Sequence, residues 1–323
     1  MSDKTLAELG ENESLRLTIA KLINQDKALV GPGDDAAVVL APDGRYVVTT
    51  DTMVEDHDFK LAWSSGFDLG FKAVSTNLSD VAAMGATPTA LLIAIALPQT
   101  TKISWLEDFA EGINEAIRSL APDVQVVGGD LASSTKVFIS VTAHGDLQGR
   151  APVLRSGARI GDAVAIAGSL GKAAAGLELL SLSNSATKAF DDLVNFQLRP
   201  VPPIQAGIEA SVAGATSMLD ISDGLIKDAS RIAKASDVSI KIRAQDLVGF
   251  EAILDQVSQR LEKKALDWIL YGGEDHALLA TFPKDAIIPK SFKVIGAVIA
   301  RSDESIYLDD QPLISLGWDS IRG

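Results

Sequence analysis

Apolar residues recur at helical spacing from the start of the chain, with Leu6, Leu9, Leu15, Ile19 and Leu22 on one face of a predicted amphipathic helix over the first 25 residues. Gly31-Pro32-Gly33-Asp34-Asp35 interrupts that pattern. Two short β runs follow, 36–40 and 46–50, around Pro42-Asp43-Gly44, which reads as a hairpin turn. From about 70 to 84, Phe71, Val74, Leu78 and Val81 fall on one helical face. Lys72, Thr76, Ser79 and Asp80 occupy an opposite arc of about 100°. That arc is either a solvated face or a polar stripe turned towards a site. A strand over 90–97, a helix over 104–120 and strands over 124–127 and 136–145 complete the first half.

The pattern loosens into Gly, Arg, Pro and Ser between 149 and 161, which marks a domain boundary. Beyond it the spacing predicts a strand at 162–167, helices at 172–182, 186–198, 203–213 and 223–235, and strands at 238–242, 277–282 and 292–300. Helices and strands mix throughout. The expected fold is α/β or mixed α+β, in two domains, 1–150 and 151–323.

Composition narrows the function. A 323-residue chain that is 47% hydrophobic buries a substantial core, and its longest apolar run, 90–97, is far too short to span a bilayer. Lys and Arg number 29 against 43 Asp and Glu, a formal charge of −14 that repels phosphate backbones and anionic lipids. Neither nucleic acid nor a membrane is an expected partner. With no cysteine, disulfides, thiolate metal sites and Cys nucleophiles are excluded together, and three histidines in no metal-binding spacing leave little room for His chemistry. No charged n-region followed by an apolar stretch opens the chain, so a cytoplasmic protein is expected.

The placement of the acids is more informative than their number. Asp34 and Asp35 precede an apolar run, Asp51 follows one, and Asp130 closes Val126-Val127-Gly128-Gly129. Asp220 and Asp223 lie in Leu219-Asp220-Ile221-Ser222-Asp223-Gly224, and Asp275 in Gly272-Gly273-Glu274-Asp275. Each alone is an ordinary turn former, and Asp223 could simply cap the helix that follows. Carboxylates brought together repel one another, so they take up protons or hold a hard cation. Mg²⁺ prefers oxygen ligands and commonly bridges carboxylates to substrate phosphates. The usual phosphate cradles are missing: there is no GxxxxGK[ST] and no complete GxGxxG after a strand, and Gly168-Ser169-Leu170-Gly171-Lys172 has the wrong spacing. If this chain moves phosphate, carboxylate-held metals do the work of those loops.

Seven segments, in order, resemble the thiamine-monophosphate kinase family, part of the superfamily that includes aminoimidazole ribonucleotide synthetase. They are Gly31-Pro32-Gly33-Asp34-Asp35-Ala36, Thr49-Thr50-Asp51-Thr52, Asn77-Leu78-Ser79-Asp80 through Ala86, Val127-Gly128-Gly129-Asp130, Leu154-Arg155-Ser156-Gly157-Ala158, Leu219-Asp220-Ile221-Ser222-Asp223-Gly224-Leu225 and Gly272-Gly273-Glu274-Asp275. The resemblance implies an aminoimidazole ribonucleotide synthetase-like two-domain fold, a homodimer pairing through the N-terminal domain, and ATP-dependent phosphorylation of thiamine monophosphate assisted by several Mg²⁺ ions. It implies a metal shell of Asp35, Thr49, Thr50, Asp51, Asp80, Asp130, Asp220 and Asp223, with Asp51, Asp80 and Asp130 closest to the chemistry. Gly129, Asp130, Arg155 and Ser222 would contact ATP, and Asp58, Glu274 and Trp318 the acceptor.

Two segments depart from the family pattern. His57 stands one position early, so that Asp58 takes its place, and the C-terminus keeps Trp318 but reads Ser320-Ile321 after it. Glu274 also has a reading as a turn acid, Trp318 as a core anchor, and Arg155 as the partner of a surface acid. The alternatives to the kinase are another ATP-dependent enzyme of the superfamily with a different acceptor, and a non-catalytic Mg–nucleotide binder.

Overall fold

A computed structural model describes residues 37–41, 44–182 and 188–314. The predicted first helix, Asp35 and Trp318 lie outside the described residues. Two sheets carry the fold. The first has the order β1-β2-β5-β3-β4, from β1 (Ala37–Ala41), β2 (Gly44–Val54), β3 (Thr87–Leu97), β4 (Gln125–Ser133) and β5 (Phe138–Asp146). Only the β3–β4 pair is parallel, and β1 and β2 pair antiparallel with Ala41 opposite Gly44, as a hairpin requires.

Helices α1 (Gly66–Ala83) and α2 (Ile103–Leu120) cover one face of this sheet. They approach closely because glycines meet backbone at the crossing: a Cβ on Gly70 would sit 2.0 Å from Phe109 O, and one on Gly112 2.0 Å from Phe67 O. On the sheet face beneath them lie Val47, Met53, Leu91, Ile93, Ile95, Ile139, Val141 and Ala143, alternating along their strands as the pleat demands. The other face is open, and every residue of edge strand β4 is exposed.

The second sheet runs β12-β11-β8-β10-β6-β9-β7, from β6 (Ala163–Ala167), β7 (Ser217–Ile221), β8 (Ser239–Ile242), β9 (Ala277–Phe282), β10 (Phe292–Ile299), β11 (Ile306–Leu308) and β12 (Gln311–Leu313). Its helices are α3 (Lys172–Ser181), α4 (Asp191–Leu198), α5 (Ile204–Val212), α6 (Leu225–Ala235), α7 (Ala244–Leu261) and α8 (Ala265–Tyr271). Alternation again sorts the core. Val164, Ile166, Leu219, Ile221 and Leu279 pack with α6, α7 and α8, whereas Ala165, Ala167, Met218, Leu278, Ala280 and Phe282 join the core of the first half. The α1–α5 crossing closes that junction, where a Cβ on Gly207 would lie 2.1 Å from Ala82 O. Among the described residues no helix is long and apolar enough to cross a membrane.

Several boundaries differ from expectation. β2 and β4 run well beyond 46–50 and 124–127, so Asp51 and Asp130 stand within strands rather than after them. Helix α4 begins at Asp191, after a short 3₁₀ turn at Lys188–Phe190. β7, α7, α8, β11 and β12 are additions to the predicted elements.

Candidate functional site

The site is organised around α1. Ser65 and Asp68 form a reciprocal capping box at its start, and Arg199 reaches across to Asp68 Oδ1 at 2.9 Å. The polar stripe is not solvated: Lys72 is 4% exposed, Thr76 8% and Ser79 0%. It faces β2 on one side and the second sheet on the other. Asp80 Oδ2 accepts a hydrogen bond from Thr49 Oγ1 at 2.8 Å, and the Asp51 amide donates to Asn77 Oδ1 at 3.0 Å. Strand alternation puts Thr49 and Asp51 on the same face and Thr50 on the other, where its hydroxyl donates to Val141 O and accepts from Thr142.

From the second sheet, β7 delivers Asp220 into the junction. Its Oδ2 accepts from Ser79 Oγ at 2.9 Å and from His276 Nδ1 at 3.0 Å. Burial alone would push the Asp220 carboxyl up, but His276, Ser79 and the Arg155 charge outweigh it and hold it below its usual range. Burial likewise opposes charge on His276, yet the Asp220 carboxylate raises its pKa above that of a free imidazole.

Asp223 follows in the turn before α6. Gly224 occupies the N-cap without a side-chain hydrogen bond, so Asp223 is not a cap. Its Oδ2 instead receives Lys227 Nζ at 3.0 Å and an Arg231 guanidinium nitrogen at 2.5 Å. Arg231 also binds the fully buried Asp228, whose Oδ2 accepts the Asp223 amide. Burial, reinforced by Asp223 and Asp220 and opposed by Arg231, pushes the Asp228 carboxyl up to about 7.

Asp51 also feels this assembly. Loss of surrounding water, followed by the charges of Asp220, Asp58 and Asp223 and opposed by His276, pushes its carboxyl up to about 6. Asp51, Asp80, Asp220 and Asp223 are thereby gathered at one junction, together with Thr49 and Arg155. Among the described residues, no three carboxylates or histidines alone form a ligand set for a metal ion.

Asp130 is exposed on β4, opposite Ala94 of β3, and Gly129 beside it leaves no room for a side chain, since a Cβ would meet Ile93 O at 2.0 Å. Asp58 fixes its own turn, accepting from the Val54 amide at 2.7 Å and pairing with His57. The Ser222 carbonyl accepts from the Glu274 amide at 2.8 Å, so the turns after β7 and α8 lie together. Glu274 takes Lys72 Nζ on Oε1 at 2.8 Å and Gln197 Nε2 on Oε2 at 2.5 Å. Burial raises its pKa, and Lys72, Gln197 and His276 more than reverse that.

His276, Lys227, Arg231, Asp228 and Gln197 join the site without having been singled out by motif. For Lys227 and Arg231 the signal lay in their spacing, four and eight residues after Asp223.

Residues 33–147 match the family model for AIR synthase related protein, N-terminal domain. A thiamine-monophosphate kinase of Mycobacterium tuberculosis is 40% identical over 316 residues, covering 98% of this chain and 93% of the relative. That of Corynebacterium glutamicum is 38% identical over 323 residues, covering 98% and 95%. The solved structure of AaThiL complexed with AMPPCP and TMP superposes with a TM-score of 0.87 at 32% identity over 99% of both chains.

Proposed function

This chain belongs to the thiamine-monophosphate kinase family, and from that premise we propose that it transfers the γ-phosphoryl group of ATP to the phosphate of thiamine monophosphate, giving thiamine diphosphate and ADP. The observation that carries the reading is the gathering of Asp51, Asp80, Asp220 and Asp223 at the α1–β2–β7 junction, beside Arg155 and within the frame matched by AaThiL with its nucleotide analogue and TMP.

The donor set suits Mg²⁺. Loss of surrounding water, reinforced by the charges of Asp220, Asp58 and Asp223, raises the Asp51 pKa, and carboxylates brought together are relieved by a hard cation. No three of the described acids complete a shell alone, so phosphate oxygens and water would supply the rest, as Mg²⁺ prefers. Asp35, Thr49, Asp51, Asp80, Asp130, Asp220 and Asp223 would hold the ions, whereas Thr50, expected among them from the resemblance, turns its hydroxyl to the other face of β2. Bound there, Mg²⁺ supplies neutralisation of the triphosphate and of the charge spread over the transferring group.

The nucleophile is a phosphate oxygen of the acceptor, already largely ionised near neutral pH because a phosphomonoester's second pKa is about 6. No general base is needed. The β–γ bridging P–O bond breaks as the acceptor O–P bond forms, and ADP leaves with the electron pair. Asp51, Asp80 and Asp130 act by electrostatics and alignment, while Gly129, Asp130, Arg155 and Ser222 hold the nucleotide. Asp58, Glu274 and Trp318 contact the acceptor.

We divide the chain near residue 150, into an ATP- and metal-binding, dimerising domain and a C-terminal α/β domain. The two sheets, built from 37–146 and 163–313, support that division. A homodimer is supported by the open face and open edge of the first sheet: Leu92 and Phe138 are exposed on that face, and Val126, Val127 and Leu131 on edge strand β4. The absence of cysteine supports a cytoplasmic setting.

A coupled assay of ADP release with and without thiamine monophosphate tests the reading. Acceptor-dependent ADP formation is expected. Release stimulated only by a different acceptor would point to another member of the superfamily, and nucleotide binding without turnover to a non-catalytic protein.

A further inference from the structure

Glu274 is held unusually firmly for a residue on a surface-reaching turn. Its backbone is left-handed, with φ of 65°, as is that of His276 at 50°, and neither is glycine. Its carboxylate receives one donor on each oxygen from the protein side. The donors differ in kind: an ammonium from α1 at 2.8 Å and an amide from α4 at 2.5 Å. Lys72 is 4% exposed and its Nζ also donates to Gln197 O at 3.2 Å, which locks α1, α4 and the turn into one unit.

Gln197 is equally buried, and its Oε1 has no partner among the described residues. Leaving an amide oxygen unsatisfied is costly, and this side chain is turned so that its NH₂ group, rather than its oxygen, meets the carboxylate. About a third of the Glu274 side chain remains exposed. The remaining carboxylate lone pairs are therefore available on the open side, at a fixed angle, beside the Asp220–His276 pair.

We propose that Lys72 and Gln197 are positioning residues that present Glu274 as a charge-neutralised, fixed hydrogen-bond acceptor for the amino group on the acceptor's pyrimidine ring. The inference rests on the kinase reading and adds the part of the substrate that this corner selects. Because the Lys72 ammonium cancels the Glu274 charge, the corner favours a neutral N–H donor over the cationic thiazolium. A site built to accept from a substrate N–H rejects the analogue that lacks it far more strongly than an apolar pocket rejects a change of size.

The test uses the full chain and compares kcat/KM for thiamine monophosphate with that for its analogue carrying a ring carbonyl in place of the pyrimidine amino group. The native protein should favour the amino compound by at least ~10²-fold. In Gln197→Met and Lys72→Met the preference should fall to within about 3-fold, through acceptor KM, with the KM for ATP unchanged and with Lys72→Arg recovering part of the preference. Thermal melts of each variant with Mg–ATP establish folding. Gln197→Met keeps the Lys72–Glu274 pair and carries the test if Lys72→Met does not fold. An undiminished preference in Gln197→Met overturns the proposal while leaving the kinase reading intact. No acceptor-dependent ADP release by the native protein overturns both.

Discussion

Ser79→Ala removes one hydroxyl at the junction, whose short bond is to Asp220 and whose longer one, at 3.5 Å, is to His276 O. Ser79 is fully buried on α1, and its hydroxyl donates to the buried Asp220 carboxylate of β7 at 2.9 Å. Only one oxygen atom is removed, so neither overpacking nor a sizeable cavity complicates the result. A hydrogen bond to a charged group contributes about 1.5–3 kcal/mol net. Alanine is the better helix former by about 0.5 kcal/mol, which offsets part of the loss. The expected cost is therefore about 1–2.5 kcal/mol. In a chain of this size that lowers Tm by about 1.5–4 °C.

Urea denaturation followed by far-UV circular dichroism reads the change directly, and calorimetry reads the Tm. His276 donates to the same Asp220 oxygen at 3.0 Å. A double-mutant cycle with His276→Phe should accordingly show coupling above about 0.5 kcal/mol. A Ser79→Ala change below about 0.5 kcal/mol, with additive behaviour in the cycle, would refute the view that the α1 stripe secures Asp220.

Asp80→Ala and Asp130→Ala should each lower kcat by at least ~10², the scale of losing one electrostatic stabiliser, and near-normal turnover at saturating Mg²⁺ and substrates would remove that residue from the assignment. Mg²⁺ with ATP at about 100 Kd should raise stability by about 2.7 kcal/mol, and a Tm indifferent to the pair would count against the site. The folded pKa of Glu274 lies below its unfolded value. Its stabilising contribution is thus present above the unfolded value of about 4.3 and lost as pH falls through the lower folded one, so Glu274→Gln should flatten the acid limb of stability against pH; parallel limbs in urea melts from pH 5 to 3 would contradict this. Gly207→Ala forces a Cβ to within 2.1 Å of Ala82 O. It should cost about 1–3 kcal/mol, and an unchanged urea midpoint would show that α1 and α5 separate freely.

How legible the molecule was depended on the kind of signal. Helix α1 was readable because Phe71, Val74, Leu78 and Val81 repeat at helical spacing and end at Gly85, whose φ is +71°. α7 carries an equally regular set of buried residues, Leu247, Phe250, Leu254 and Val257, but Gly249 and three acids within it weaken the local pattern. β7 was missed because its apolar run is broken by Asp220, a residue strands disfavour, and tertiary burial of all five residues overrides that preference. The acids of the site were visible from their Gly- and Ser-rich settings. Their partners were not, because Lys72 meets Glu274 and Ser79 meets Asp220 across 202 and 141 residues of chain, distances that no local pattern encodes. The choice between a solvated and an inward-facing stripe on α1 needed the second sheet, since the same four polar residues satisfy either.

That dependence places the site on both halves at once. α1 belongs by packing to the first sheet, yet its stripe meets Asp220, Glu274 and Gln197 from the second, and the contact of Gly207 with Ala82 sets how closely the two approach. Neither half holds the acids in register alone. Within the assembled junction the acids are unequal. Asp223 has two cations on one oxygen, Asp220 has a hydroxyl and an imidazole, and Glu274 has an ammonium and an amide. Asp51 feels three carboxylates with His276 in opposition. On the proposed function, a cation held near Asp51 would offset the repulsion it feels from those carboxylates. On that same proposal, the acids behind the net charge of −14 that argues against phosphate ligands would, at this point of the structure, be what lets Mg²⁺–ATP bind.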